Sequence, residues 1–137
     1  MSQSIRPYLS FEGRAEEAIE FYKRQLGAQV KLLIRNKDVE ESMAAPGNEN
    51  KVLHADVSIG DTTIGISDGF CSGAPKFEGV SLALTCADKA KTEKAFAALS
   101  DGAQVHQPLT ETFFSPAFGM LVDKFGVSWM VMSAPAA

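Results

Sequence analysis

The chain has 137 residues, 45% of them apolar, 22% charged and 9% aromatic, with 13 Lys+Arg against 17 Asp+Glu for a formal charge of −4. A chain of about 150 residues buries roughly 70% of its unfolded surface, which excludes disorder, a fibre and a mini-protein stapled by metal or disulfides. The acidic excess argues against a nucleic-acid binder, which needs clustered Lys and Arg, and the longest uncharged run, Phe125 to Ala137, is well short of the ~18 residues of a membrane span.

In chain order, Tyr8-Leu9-Ser10-Phe11 alternates like a half-buried strand, and Glu12-Gly13-Arg14 breaks the pattern. A helix is predicted next, with Ala15, Ala18, Ile19, Tyr22 and Leu26 as its apolar stripe. Glu16 and Glu17 suit its positive N-terminal end, Lys23 and Arg24 its negative C-terminal end, and Gly27 the left-handed position that ends it. Val30 to Arg35 reads as a strand, Asn36 to Lys51 as a loop, and Val52 to Ile59 and Thr62 to Ser67 as a hairpin turning at Gly60-Asp61. Asp68 to Glu78, with its glycines and a proline, reads as a linker.

The same order then recurs. Val80 to Cys86 is a strand, Asp88 an N-cap, and Thr92, Ala95, Phe96 and Leu99 the buried stripe of a helix ended by Gly102. Strands follow at Gln104 to Leu109, Ala117 to Val122 and Val127 to Ser133, the last two joined by Asp123-Lys124-Phe125-Gly126. Gly27-Ala28-Gln29-Val30 reappears intact as Gly102-Ala103-Gln104-Val105, an offset of 102 − 27 = 75 that sets Leu9 on Leu84 and Phe21 on Phe96. The expected architecture is α+β: a single domain of two tandem β-α-β-β-β modules, at about 1–68 and 79–134, joined by a linker at 69–78.

These punctuation residues resemble the vicinal oxygen chelate superfamily of glyoxalase I, fosfomycin-resistance proteins, bleomycin-binding proteins and extradiol dioxygenases. Phe21-Tyr22 followed by Leu26-Gly27-Ala28 is similar to its first-helix signature, and Asp123-Lys124-Phe125-Gly126 to its Asp-x-x-Gly turn before the last strand. Pro7-Tyr8-Leu9-Ser10-Phe11, His54-Ala55 ahead of Ser67-Asp68, Glu111-Thr112-Phe113-Phe114, Phe118-Gly119 and the run from Asp123 to Met130 resemble its PhnB-like branch, also labelled 3-demethylubiquinone-9 3-methyltransferase. The resemblance implies the glyoxalase/bleomycin resistance fold, in which curved mixed sheets enclose a shared pocket, and a homodimer.

The resemblance also implies four strand positions for His or Glu ligands to a divalent ion that chelates two substrate oxygens. In this chain they fall on Pro7 or Tyr8, on His54, near Ser81, and on Met130. Only His54 is a usual ligand, and a stable site needs at least three, so no metal cofactor is expected. A shifted set is the alternative: Asp56, two residues along a strand, shares the face of His54, and Glu111 could join them. The methyltransferase label finds no Gly-x-Gly turn between a strand and a helix to hold a methyl donor.

His54 and Glu111 are the catalytic candidates, an imidazole for proton transfer and a carboxyl group near the rings of Phe113, Phe114 and Phe118, which burial among them would tune for acid–base work but which reads first as an exposed loop carboxylate. The candidate pocket comprises His54, Asp56, Glu111, Phe114, Phe118, Trp129 and Met130, with Trp129 offering a ring face and Met130 an adaptable wall. His106 reads as an outer-strand residue without a role. Cys71 and Cys86 lack CxxC or zinc spacing and are expected as free thiols, with no basic group near Cys71 to activate it. The loop 36–51 has the length of a lid, with Val39, Met43, Ala44 and Ala45 as an apolar patch and Asp38, Glu40, Glu41 and Glu49 facing water.

The expected function is binding of a small organic molecule in an inter-module cleft without the usual metal. The alternatives are a metal-dependent glyoxalase-, dioxygenase- or thiol-transferase-type enzyme using the shifted ligands, and an antibiotic-sequestering protein whose negative charge suits a cationic ligand. The N-terminus lacks the apolar core of a signal peptide, so the cytoplasm is the expected compartment; neither nucleic acid nor membrane is an expected partner.

Overall fold

The computed structural model describes residues 2–39 and 46–135. The chain divides into two compact units, Met1–Pro75 and Lys76–Ala137. In the first, strand β1 (Tyr8–Ser10) leads to helix α1 (Ala15–Leu26), then to β2 (Gln29–Arg35), a single 3-10 turn (Asn36–Asp38), and the strands β3 (Val52–Ile59) and β4 (Thr62–Ser67). In the second, β5 (Ser81–Cys86) leads to α2 (Lys89–Leu99), β6 (Gln104–Thr110), β7 (Phe118–Val122) and β8 (Ser128–Ser133). Each unit makes one four-stranded mixed sheet, in the orders β1-β4-β3-β2 and β5-β8-β7-β6. The architecture is the expected α+β pair of β-α-β-β-β modules.

Within the first sheet β1 runs parallel to β4 while β3 pairs antiparallel with both neighbours. Side chains alternate across such a sheet, and one parity becomes core. Ala55 and Val57 on β3 and Ile64 and Ile66 on β4 are buried with Ala15, Ala18, Ile19 and Tyr22 of α1. Burying an aliphatic side chain of this kind contributes about 1.5–3 kcal/mol, so this packing fixes which face the helix covers. His54, Asp56 and Ser58, the opposite parity of β3, are only half-buried. Of the predicted stripe of α1, Leu26 is half-buried and Phe21 is buried in its place, because the covered face of the helix is broader than a single stripe.

In the second unit Leu121, Trp129 and Val131 are buried with Phe96 and Leu99 of α2, and Ala95 is half-buried. Gly119 belongs to this face: a Cβ there would lie 2.6 Å from Phe96 Cε1 and 3.0 Å from the Gln107 carbonyl oxygen, so the strand must be bare where the helix crosses it. Helix α2 stops at Leu99, where the Ser100 hydroxyl donates to the Phe96 carbonyl at 2.6 Å. Gly102, the predicted terminator, lies beyond it in the following turn with φ +75°.

The two helix starts are satisfied differently. In α2, Asp88 accepts from the Lys91 N–H at 2.8 Å, as an N-cap should. In α1 the capping residue Arg14 makes no side-chain bond. Instead the buried Asp68, just past β4, accepts from Ala15 N–H at 2.7 Å through one oxygen and from Val52 N–H at 2.6 Å through the other. The corner between β1 and α1 also holds the segment that follows Asp68, since the Glu12 carbonyl accepts from Gly73 N–H at 2.7 Å and its carboxylate from Ser72 N–H at 3.3 Å.

Candidate functional site

On the face of the first sheet turned away from α1, four side chains form one hydrogen-bonded chain. Tyr8 Oη lies 2.9 Å from His54 Nδ1, His54 Nε2 lies 2.9 Å from Asp56 Oδ1, and Arg6 Nη2 donates to the same oxygen at 2.8 Å. The register explains how residues from three elements meet. Tyr8 on β1 stands opposite Gly65 on β4, and Gly65 stands opposite Asp56 on β3. A Cβ added at Gly65 would lie only 2.7 Å from Tyr8 Cε2 and closer still to Cδ2, so its missing side chain lets that ring cross β4 and stack on the imidazole, with centroids 5.5 Å apart at 20°. On the far side of β3, Leu32 pairs with Asp56 and Ile34 with His54, which flanks the polar chain with aliphatic groups. Tyr8 is 54% exposed and the His54 and Asp56 side chains about a quarter exposed (25% and 23%), so the group is open to a ligand while held by its neighbours.

The donor set can be tested against a divalent metal. Both nitrogens of His54 are already engaged, one with a phenol and one with a carboxylate, and a guanidinium occupies that same carboxylate oxygen. A metal would have to displace Tyr8 or Arg6 and would then still lack a third strong ligand. Ser81, at another of the implied positions, pairs with Ser128, their hydroxyls 2.8 Å apart. Among the described residues no group of three or more His, Cys, Asp or Glu side chains is arranged to hold an ion. These residues do not fit the divalent metal of the superfamily.

The remaining predicted residues separate. Trp129 and Met130 point to opposite faces of β8: Trp129 is buried on the α2 side, its indole N–H donating to Asp123 Oδ2 at 2.8 Å, so it is core and not pocket wall. Asp123 is itself buried, accepting from Phe125 and Val127 N–H at 2.9 and 3.1 Å, which gives the Asp-x-x-Gly turn its structural reason. Met130 is half-buried on the other face, in register with Met120 of β7, while Phe118 pairs with Met132. Phe114 packs edge-on against Phe118 at 5.1 Å.

Glu111 is exposed, the outcome the sequence favours for a loop carboxylate, and so is the whole Phe113 ring: the segment after β6 carries these groups outward. Glu111 instead lines a cavity of about 350 Å³ with Lys89, Phe113, Phe114, Ser115 and Pro135. His106 is exposed on β6, and burial pushes the thiols of Cys71 and Cys86 up from their ordinary range, leaving both as poor nucleophiles. Of the predicted lid, residues 40–45, including Glu40, Glu41, Met43, Ala44 and Ala45, lie outside the described residues.

Arg6 and Tyr8 were not among the predicted site residues. Their signal is the implied ligand position at Pro7 or Tyr8: a side chain placed there faces His54 whatever its chemistry.

The family model for 3-demethylubiquinone-9 3-methyltransferase matches residues 3–132. Protein YjdN of Escherichia coli is 32% identical, over 93% of this chain and 92% of its own length. The chain belongs to this PhnB-like family. A crystal structure of protein PA1353 from Pseudomonas aeruginosa is 34% identical with a TM-score of 0.85, covering 97% of this chain and 98% of that one. A putative 3-demethylubiquinone-9 3-methyltransferase, PhnB protein, from Bacillus cereus is 31% identical with a TM-score of 0.79, covering 96% and 100%. At 14% identity a glyoxylase/bleomycin resistance protein/dioxygenase domain from Frankia sp. shares the fold, with a TM-score of 0.68 over 100% of this chain and 95% of that one. The PhnB-like family is thus placed on the glyoxalase/bleomycin resistance fold.

Proposed function

We propose that this PhnB-like protein binds a small organic molecule on the half-exposed face of its first sheet, using hydrogen bonds where its superfamily uses a metal. The observation that carries this reading is the chain from Arg6 through Asp56 and His54 to Tyr8. It is built at the position of a family metal ligand, it is flanked by Leu32 and Ile34, and its outer member is exposed. A polar group beside an aliphatic wall is the ordinary composition of a small-molecule site.

The methyltransferase of the family's description is not part of this reading. A methyl donor of the nucleoside type rests on a Gly-rich strand-to-helix turn in a parallel sheet. Here the corresponding turns are Glu12-Gly13-Arg14 and Ala87-Asp88, and each sheet has one parallel pair. The working form is taken to be a homodimer in the cytoplasm, in keeping with two free thiols; light scattering of the purified protein decides the first of these.

Elemental analysis of the freshly purified protein tests the reading at its root. Divalent metal well below one ion per chain is expected. A stoichiometric ion that disappears in His54→Ala overturns the reading in favour of metal-dependent chemistry.

A further inference from the structure

We infer that Tyr8 is the proton-transfer residue of this face, with a ligand that carries a phenolic or enolic hydroxyl group; the inference rests on the binding reading above and assigns its chemistry. Asp56 lies beside the Arg6 guanidinium and takes hydrogen bonds from Arg6 and His54 on one oxygen. A carboxylate only accepts, so His54 Nε2 carries the proton of that bond. With the imidazole neutral, its lone pair lies on Nδ1, and the phenol O–H donates in the bond to Tyr8 at 2.9 Å. The remaining lone pairs of Tyr8 Oη, on a side chain 54% exposed, are the acceptors the face presents outward.

A ligand hydroxyl donating to Tyr8 Oη completes a relay. The ligand O–H bond breaks and its proton passes to Tyr8 Oη, while the Tyr8 proton passes to His54 Nδ1. The ligand becomes an oxyanion and His54 an imidazolium held by the Asp56 carboxylate, so protons and charge balance without a co-reactant. An aliphatic alcohol, or a phenol as weakly acidic as tyrosine, holds its proton too tightly for an imidazole to take, so the ligand class is the more acidic phenols and enols. The flanking Leu32 and Ile34 suit the apolar body of such a molecule. His54 and Asp56 act through Tyr8 and are positioning residues.

The ligand-free protein tests the relay first. It has two histidines, so heteronuclear NMR resolves the His54 ring directly, and the Nε2–H tautomer is expected. The Nδ1–H tautomer overturns the relay and leaves binding on this face standing. The second arm uses para-nitrophenol, whose absorbance reports its own ionisation. Wild-type protein is expected to raise the phenolate fraction on binding, and Tyr8→Phe to weaken binding by roughly tenfold. His54→Gln can still donate to Asp56 and accept from Tyr8, but its amide cannot take up a proton; it should bind the probe without the gain in phenolate. The same phenolate gain in His54→Gln as in wild type, or unchanged affinity in Tyr8→Phe, overturns the assignment. No binding to wild type with the Nε2–H tautomer intact overturns the ligand class and leaves the binding reading to the elemental analysis that tests it.

Discussion

Gly65 stands directly opposite Tyr8 across the parallel β1–β4 pair, and the tyrosine ring occupies the space where a side chain at 65 would be. The contact between Tyr8 and His54 therefore depends on a residue that contributes no side chain of its own. Gly65→Ala is expected to push the ring off β4 and separate Tyr8 from His54 while the sheet itself persists. Ring-proton shifts of Tyr8 and His54 should change together, with the backbone circular dichroism unaltered; an unmoved Tyr8 resonance contradicts the expectation.

Asp68 supplies the second prediction. Its carboxylate satisfies the first N–H of α1 and the first N–H of β3, both buried. Asp68→Ala leaves two buried donors unpaired and should cost at least about 2–4 kcal/mol in urea unfolding. Asp68→Asn keeps one acceptor and turns an amide N–H toward the other donor, so an intermediate loss is expected.

Trp129 is the single tryptophan of the chain, which makes its environment directly observable. Buried and bonded to Asp123, it should emit at short wavelength and resist quenching by iodide. Trp129→Phe removes a hydrogen bond to a buried carboxylate and is expected to cost roughly 1.5–3 kcal/mol. Met130→Leu, on the other face of the same strand, should stay below about 1.5 kcal/mol, and any larger effect there would show that the face is packed as tightly as the core.

Acid should weaken the first unit through two carboxylates. The Ser10 hydroxyl holds Glu12 below its ordinary value of 4.5, and the paired guanidinium of Arg35, bonded at 2.7 and 3.1 Å, does the same for Glu16. Because the folded-state values are depressed, this stabilisation is complete above about pH 5 and is lost as pH falls through the folded values. The urea midpoint should be flat from neutrality to about pH 5 and decline below it, with a shallower decline in Glu16→Gln. Both groups are largely solvated, so the slope should be gentle and further reduced by salt.

How much of this was legible in the sequence follows from the range of the forces involved. Strand and helix limits depend on neighbours in the chain, and the ends of β3, β4 and α1 match the alternation and the glycine punctuation closely. The parity of β8 was legible too, since Trp129 and Met130 cannot share a face, but which of them faces the helix depends on packing against Phe96 and Leu99 from another element. Asp68 lies 53 residues from the helix it caps, and nothing local marks it. His54 and Asp56 were paired correctly because a strand has period two. Their connection to Tyr8 and Arg6 is a product of sheet order, with β4 inserted between β1 and β3. The exposure of Glu111 was legible from its place in a loop, whereas the outward turn of the neighbouring Phe113 ring was not, because nearness in the chain does not set which way a loop side chain faces.

The outer strand β6 carries one more consequence. It is exposed on both faces, its pairing with β7 slips twice, and it contains Pro108, which has no N–H to offer. A straight strand in that place would be a template on which a foreign chain could add. As built, the edge presents an interrupted row of donors, and the slips bend it away from the flat geometry that fibrils require. A sheet that ends in this way is guarded against edge-to-edge pairing by its backbone, whatever side chains its inner strands carry.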